Sequence, residues 1–262
     1  MSGERGWFGG RAYVVTGSTQ GMGEAVAKAL ANAGARGIVV CGRNAANGKR
    51  VKSEIERLGA AAEFVAADLA KPEDCRAIVA ACDRRFGRID GLVNAAGDTG
   101  RGTIADTTVE LWDRLFAVNA RAPFLLMQDA IRIMRRDKTA GSIVNVITMS
   151  AYGGQPFITP YCAAKGALAV LTKNVAHAVR FDRIRVNGIN VGWTDTPHEH
   201  EVQRAQGQPA DWLASAEAAQ PFGRLIKPDD VARLSLFLLG PESAVMTGAI
   251  VDFDQRVIGA WD

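Results

Sequence analysis

Tyr161 and Lys165 stand four residues apart in Tyr161-Cys162-Ala163-Ala164-Lys165. On a helix that spacing puts both side chains on one face, with Cβ atoms about 5–6 Å apart. A phenol with a reference pKa near 10 holds its proton at pH 7. A fixed ammonium at that separation, in an effective dielectric near 20, would stabilise phenolate by roughly 3 kcal/mol, or about two pKa units. The pair therefore predicts a proton-exchanging phenol, provided something holds a reacting oxygen against it.

A phosphate-binding turn supplies the second element. The run Ala12 to Thr16 reads as a strand and leads into Gly17-Ser18-Thr19-Gln20-Gly21-Met22-Gly23, with a helix expected from about Met22 to Asn32. Glycine admits positive φ and close backbone approach, and a helix start offers free amides and a positive dipole end to an anion. The spacing Gly-x-x-x-Gly-x-Gly differs from the usual Gly-x-Gly-x-x-Gly dinucleotide fingerprint. A second strand ends in Gly42-Arg43, where an NAD site would carry Asp or Glu for the ribose 2′-hydroxyl. Gly42 removes that carboxylate, and Arg43 offers a forked cation suited to a 2′-phosphate. NADP(H) is therefore expected in preference to NAD(H). Gln20 stands before the middle glycine, where NADP-preferring relatives often carry a basic residue, so NAD(H) remains possible. Asp68, with Leu69 behind it at the end of a third strand, is placed to accept a hydrogen bond from an adenine amino group.

These groups need a scaffold, and the rest of the chain reads as one. Near-continuous apolar runs at Ile38 to Cys41, Ala62 to Ala67, Leu92 to Asn94, Ser142 to Ile147, Arg185 to Asn190 and Ala249 to Phe253 suit parallel strands buried on both faces. Helical periodicity separates them, as in Leu111, Leu115, Val118, Ala122, Leu125 and Leu126, and Pro228 to Leu239 forms a further helix before Gly240. The expected fold is α/β: a Rossmann-type, doubly wound parallel sheet of about seven strands between two helical layers, as one domain over residues 1–262. Residues 192–222 make too long a connection to be ordinary and are expected to form a lid over the substrate.

Composition narrows the class. The chain has 262 residues, 48% hydrophobic and 23% charged, with a net charge of +3. That excludes a polyelectrolyte tail and gives no support to nucleic-acid binding. Cys41, Cys75, Cys82 and Cys162 form no Cys-x-x-Cys pair, and no apolar run reaches the ~18 residues of a membrane span. No metal site is expected, since His198-x-His200 lacks a third ligand. A soluble cytoplasmic protein follows.

Taken in order, the Gly-rich turn, Asn94-Ala95-Ala96-Gly97 and Tyr161/Lys165 resemble the short-chain dehydrogenase/reductase family, in its single-domain branch. The resemblance implies an oxidoreductase that moves a hydride between NAD(P)(H) and a small carbonyl or alcohol. Gly17, Gly21 and Gly23 would form the cofactor turn. Asn94 would steady the central strands, with Ala95 and Gly97 beside the adenosine ribose. Tyr161 would be the acid/base, and Lys165 would lower its pKa and hold the nicotinamide ribose. Asn119 would serve the proton relay. Pro123, four residues on, has no N–H, so a kink is expected there and a carbonyl is freed for water. The family's carbonyl-polarising serine, 13 residues before the tyrosine, is Thr148 here, with Ser150 as the alternative hydroxyl. The family's Pro-Gly pair after the sixth strand is Val191-Gly192, and Thr194 and Thr196 match contacts to the carboxamide and diphosphate. Arg101, Tyr152, Gln155, Phe157 and Trp193 are placed by position around the substrate. A homotetramer, or a dimer, is implied, with the helices around Leu111–Ile133 and Tyr161–Val179 pairing and the apolar tail Val257 to Asp262 docking on a neighbour. If neither hydroxyl reached the substrate, a non-catalytic, dinucleotide-sensing protein would use the same turn.

Overall fold

A computed structural model describes residues 4–259. The elements run α1 (Glu4–Phe8), β1 (Ala12–Thr16), α2 (Gly21–Asn32), β2 (Gly37–Gly42), α3 (Ala45–Arg57), β3 (Ala61–Ala66), α4 (Pro72–Phe86), β4 (Gly91–Asn94), α5 (Val109–Phe116), α6 (Ala122–Arg136), β5 (Ser142–Val146), α7 (Thr159–Val179), β6 (Arg185–Val191), α8 (Pro197–Ala205), α9 (Trp212–Ala218), α10 (Pro228–Leu239) and β7 (Ile250–Phe253). The strands form one seven-stranded sheet in the order β3-β2-β1-β4-β5-β6-β7, and every pairing is parallel. Successive residues of a strand serve opposite faces. Tyr13, Val15, Ile38 and Val40 pack with Leu30, Ile55 and Leu238 of α2, α3 and α10. Val14, Val39, Leu92 and Ile143 pack on the other face with Ile78, Leu126 and Met127 of α4 and α6. This is the expected doubly wound Rossmann-type sandwich.

The sheet order reverses direction at β1, which lies between β2 and β4. Ligands of such sheets bind where the order reverses, outside the carboxyl ends of the strands. The first turn, the loop after β4 and the segment after β5 all emerge there.

The expected kink before Pro123 takes the form of a π turn over Ala117–Arg121, joining α5 to α6. The Ala122 N–H bonds back to the Ala117 carbonyl, one residue further than an α-helix would reach. The segment expected to be irregular, residues 192–222, instead contains α8 and α9. Cys41, Cys75 and Cys82 are buried and Cys162 is half-buried; all four are free thiols. Val257 and Ile258 are 76% and 53% exposed, while the remainder of the tail lies outside the described residues. Among those residues no helix is long and apolar enough to cross a membrane.

Candidate active site

The first turn leaves β1 in a left-handed step at Gly17 (φ +63) and enters α2 through a second at Gly21 (φ +58). A Cβ on Gly17 would sit 2.6 Å from the Ala96 Cα, and one on Gly23 would sit 2.5 Å from the Gly17 carbonyl oxygen. Glycine is therefore required at Gly17 for both space and conformation. Gln20 occupies the N-cap of α2 without a side-chain capping bond, so Gly21, Met22 and Gly23 present the uncapped helix start to a cleft of about 860 Å³. Ser18 departs from expectation. Its hydroxyl donates to the Val15 carbonyl and accepts from the Cys41 N–H, its own N–H is bonded to the Cys41 carbonyl, and it is fully buried. It latches β1 to β2 and offers nothing to a ligand. Thr16, which sequence reasoning passed over, accepts the Ala95 and Ala96 N–H groups and fixes the loop after β4.

At one end of the cleft lie Gly42, Arg43, Asp68 and Leu69. Gly42 packs so closely that an added Cβ would meet the Thr19 side chain at 2.7 Å. Asp68 uses one carboxylate oxygen to accept the Ala70 N–H. Ala95 and Gly97 line the cleft, whereas Asn94 stays behind it. The Asn94 amide donates to Asn145 (2.8 Å), and Asn145 donates to the Thr172 hydroxyl (2.9 Å). This buried chain ties β4 to β5 and to α7, a strand-steadying contact rather than a ligand contact.

At the other end, α7 begins with Pro160 in its first turn and directs Tyr161 and Lys165 into the cleft. Lys165 is 3% exposed, and its ammonium donates to the Val146 carbonyl at 2.8 Å. Burial pushes its pKa down to about 8. Asn119, fully buried within the π turn, accepts the Asp98 N–H and donates to the Asp98 carbonyl. Its side chain thus clamps the loop after β4. Gly97 completes the cluster: a Cβ there would lie 3.4 Å from Asn119 Oδ1 and 3.7 Å from Lys165 Nζ.

Burial pushes the Tyr161 phenol up to about 12; hydrogen bonding to the Thr148 hydroxyl works against that rise, while Cys162 and the Glu199 carboxylate add to it. Sequence reasoning expected the opposite direction. Burial dominates the phenol, and the Lys165 ammonium is engaged with the Val146 carbonyl. After Thr148 the chain does not stay extended but enters a 3-10 turn, Met149–Tyr152. The Thr148 and Ser150 hydroxyls lie 3.3 Å apart, and Ser150 donates to Gln155 at 2.6 Å. Thr148, Ser150 and Gln155 all line the cleft. Tyr152 does not, because the tight turn swings it out. It is 55% exposed and its hydroxyl bonds Asp252 at 2.9 Å.

Residues 192–222 form the opposite wall. Trp193 stacks on Trp212 at 5.9 Å, and His200 meets the same Trp212 ring edge-on. Thr194 is buried, with its hydroxyl donating to the Gly192 carbonyl. Thr196 caps α8 by accepting the Glu199 N–H and sits against the first turn, 3.6 Å from where a Gly21 Cβ would be. His198 and His200 have separate partners, Thr99 and Asp195. Arg101 lies over the Phe157 ring, with its guanidinium facing the Gln206 side-chain amide, whose oxygen, turned toward it, accepts at 2.6–3.0 Å. Glu199, Gln203 and Gln206 were not foreseen. Their 4- and 3-residue spacing would have revealed one helical face, had the segment been read as helical.

The residues fit a dinucleotide. A glycine cradle beneath an uncapped helix start suits a diphosphate, and the small Gly97 leaves room between the loop after β4 and Lys165. A family model described as enoyl-(acyl carrier protein) reductase matches residues 17–255. The D-beta-hydroxybutyrate dehydrogenase of Rhizobium meliloti is 36% identical over 95% of this chain and 97% of its own. A short-chain type dehydrogenase/reductase from Mycobacterium marinum superposes with a TM-score of 0.86 at 29% identity, covering 97% of each chain. A single-residue variant of the actinorhodin polyketide ketoreductase, solved with NADPH, does so with a TM-score of 0.86 at 28% identity, covering 92% of this chain and 95% of its own. The chain belongs to the short-chain dehydrogenase/reductase family of oxidoreductases.

Proposed function

We propose that the protein catalyses reversible hydride transfer between NADP(H) and a small carbonyl or alcohol substrate, with Tyr161 as general acid and base. The observation that carries this is the placement of Tyr161 with Thr148 and Lys165 in the same cleft that holds the glycine cradle and Arg43. Gly17, Gly21, Met22, Gly23 and Thr196 would hold the diphosphate, Arg43 and Asp68 the adenosine end, and Lys165 the nicotinamide ribose. Bound there, the nicotinamide supplies or accepts the hydride.

Tyr161 and Thr148 would bind the substrate oxygen between them. In reduction Tyr161 donates its proton to that oxygen as negative charge develops, and Thr148 donates a hydrogen bond to the same atom. In oxidation Tyr161 must first lose its proton. With its pKa pushed up to about 12, the phenol is protonated at neutral pH. The proton that carbonyl reduction needs is therefore in place there, and alcohol oxidation should accelerate as pH rises. Arg43 beside the carboxylate-free Gly42 supports NADP(H) over NAD(H), and the ketoreductase solved with NADPH is consistent with it. Thr148 and Tyr161 lining one cleft support the catalytic reading over a purely dinucleotide-sensing one.

Apolar side chains on the outer faces of α5, α6 and α7, including Val109 (71% exposed), Trp112, Phe124 and Val170, support a homo-oligomer of whole-chain, one-domain protomers. Light scattering at micromolar concentration should give a tetramer or dimer mass; a monomer would count against that assembly. The chemical test is Tyr161→Phe, which keeps the ring but removes the proton. Turnover should fall at least ~100-fold while NADPH still binds, and retained turnover refutes the assignment.

A further inference from the structure

The inner face of α8 and its C-terminal cap bring Glu199, Gln203 and Gln206 into the cleft, and Glu199 is the charged one of the three. Its Oε1 accepts from the Trp193 indole N–H at 2.8 Å and from the Gln203 amide at 2.6 Å. Two donors thus fix the carboxylate on the wall of the cleft that Tyr161 and Thr148 also line. Further out, Gln203, Gln206 and Arg101 continue the polar wall, with the Trp193 and Phe157 rings as its flat apolar parts. Planar carboxylate, amide and guanidinium groups beside aromatic faces are complementary to a molecule bearing hydroxyls on a carbon frame.

Resting on the functional reading above, we infer that Glu199 selects the substrate class: a neutral compound with a hydroxyl on the carbon next to the reacting one, such as an α-hydroxyketone or vicinal diol. That hydroxyl would donate to the Glu199 carboxylate while the reacting oxygen sits between Tyr161 and Thr148. A substrate carboxylate in the same place meets a like charge with no proton to share. An ammonium would also pair with Glu199, in a cleft lined by Arg101 and Arg256 and equally by Asp68, Asp98 and Asp254; the amino alcohol series is the rival outcome of the test.

The test is steady-state kinetics with NADPH and NADP⁺ on chain-length-matched series: monofunctional ketones and alcohols, α-hydroxyketones and vicinal diols, α-keto and β-hydroxy acids, and amino alcohols. The hydroxyl-bearing compounds should exceed the monofunctional ones in kcat/KM by about 10- to 100-fold, the range expected of a hydrogen bond to a charged group. In Glu199→Gln that preference ratio should collapse by about tenfold, mainly through KM, and Glu199→Asp should restore part of it. A wild-type preference for acids, amino alcohols or monofunctional compounds overturns the inference and leaves the oxidoreductase reading standing. So does an unchanged ratio in Glu199→Gln. Absence of turnover across all series with either coenzyme overturns both.

Discussion

Replacing Arg43 by alanine removes the cation offered to a 2′-phosphate and touches nothing else on which the fold depends. The residue follows the last residue of β2 and is exposed, so water competes for its hydrogen bonds and salt screens them. The loss should therefore sit at the lower end of the charge-assisted range, about tenfold in kcat/KM for NADPH. NADH, which has no such phosphate, should be nearly unaffected. The converse change is sterically coupled. An Asp at position 42 would bring a ribose-binding carboxylate, but its Cβ would lie 2.7 Å from Thr19 Oγ1 and Cγ2 and 3.3 Å from Thr19 Cβ. Gly42→Asp alone should thus impair both coenzymes by displacing the turn, whereas Gly42→Asp with Thr19→Ala removes the two closest atoms and should favour NADH. Initial rates with each coenzyme, at fixed ionic strength, give the ratios directly. Equal losses for both coenzymes in Arg43→Ala, or a wild-type enzyme that prefers NADH, would refute this reasoning.

Lys165→Met should raise Tm while destroying turnover, because a buried ammonium with one carbonyl partner is replaced by an apolar chain of similar length. The folded pKa of Lys165, down to about 8, lies below its unfolded value near 10.5. Its destabilising contribution is thus complete below pH 8 and fades by about pH 10.5; calorimetry should find the variant's advantage at pH 6.5 and little of it at pH 10. Carbonyl reduction should keep its proton donor throughout pH 6–9, whereas oxidation should climb with pH as Tyr161 begins to ionise, which initial rates in both directions will report. Trp212→Ala should loosen the small cluster it forms with Ala216 and Leu225, raising KM several-fold with a global Tm nearly unchanged. A large Tm loss would instead make residues 192–222 part of the main core.

The fold was legible because parallel strands buried on both faces leave a blunt record. Val14, Val39, Leu92 and Ile143 have almost no alternative to the middle of a sheet. The glycine turn was legible for a related reason, since close approach to Ala96 tolerates no side chain. Pro123 announced the distortion beside Asn119, although not that the ladder would widen into a π turn. What escaped were features set by neighbours distant in sequence. Ser18 turns inward because β2 presents a carbonyl and an amide to it. Tyr152 turns outward because a 3-10 turn replaces extended chain. The direction of the Tyr161 shift depends on how much protein surrounds the phenol, which a spacing of four residues does not encode. Glu199 went unnoticed because Pro197 and Gly207 framed a segment that looked like loop.

The buried thiols bear on how this molecule ages. Burial raises the pKa of all four cysteines, Cys41 to about 12 and Cys75 to about 11, so almost no thiolate exists at neutral pH to react with peroxide or to exchange with a mixed disulfide. Oxidative wear of Cys41, Cys75 and Cys82, the three buried thiols, should therefore track transient opening of the chain rather than its time in air, and their slow chemical modification becomes a clock for how often the sheet comes apart.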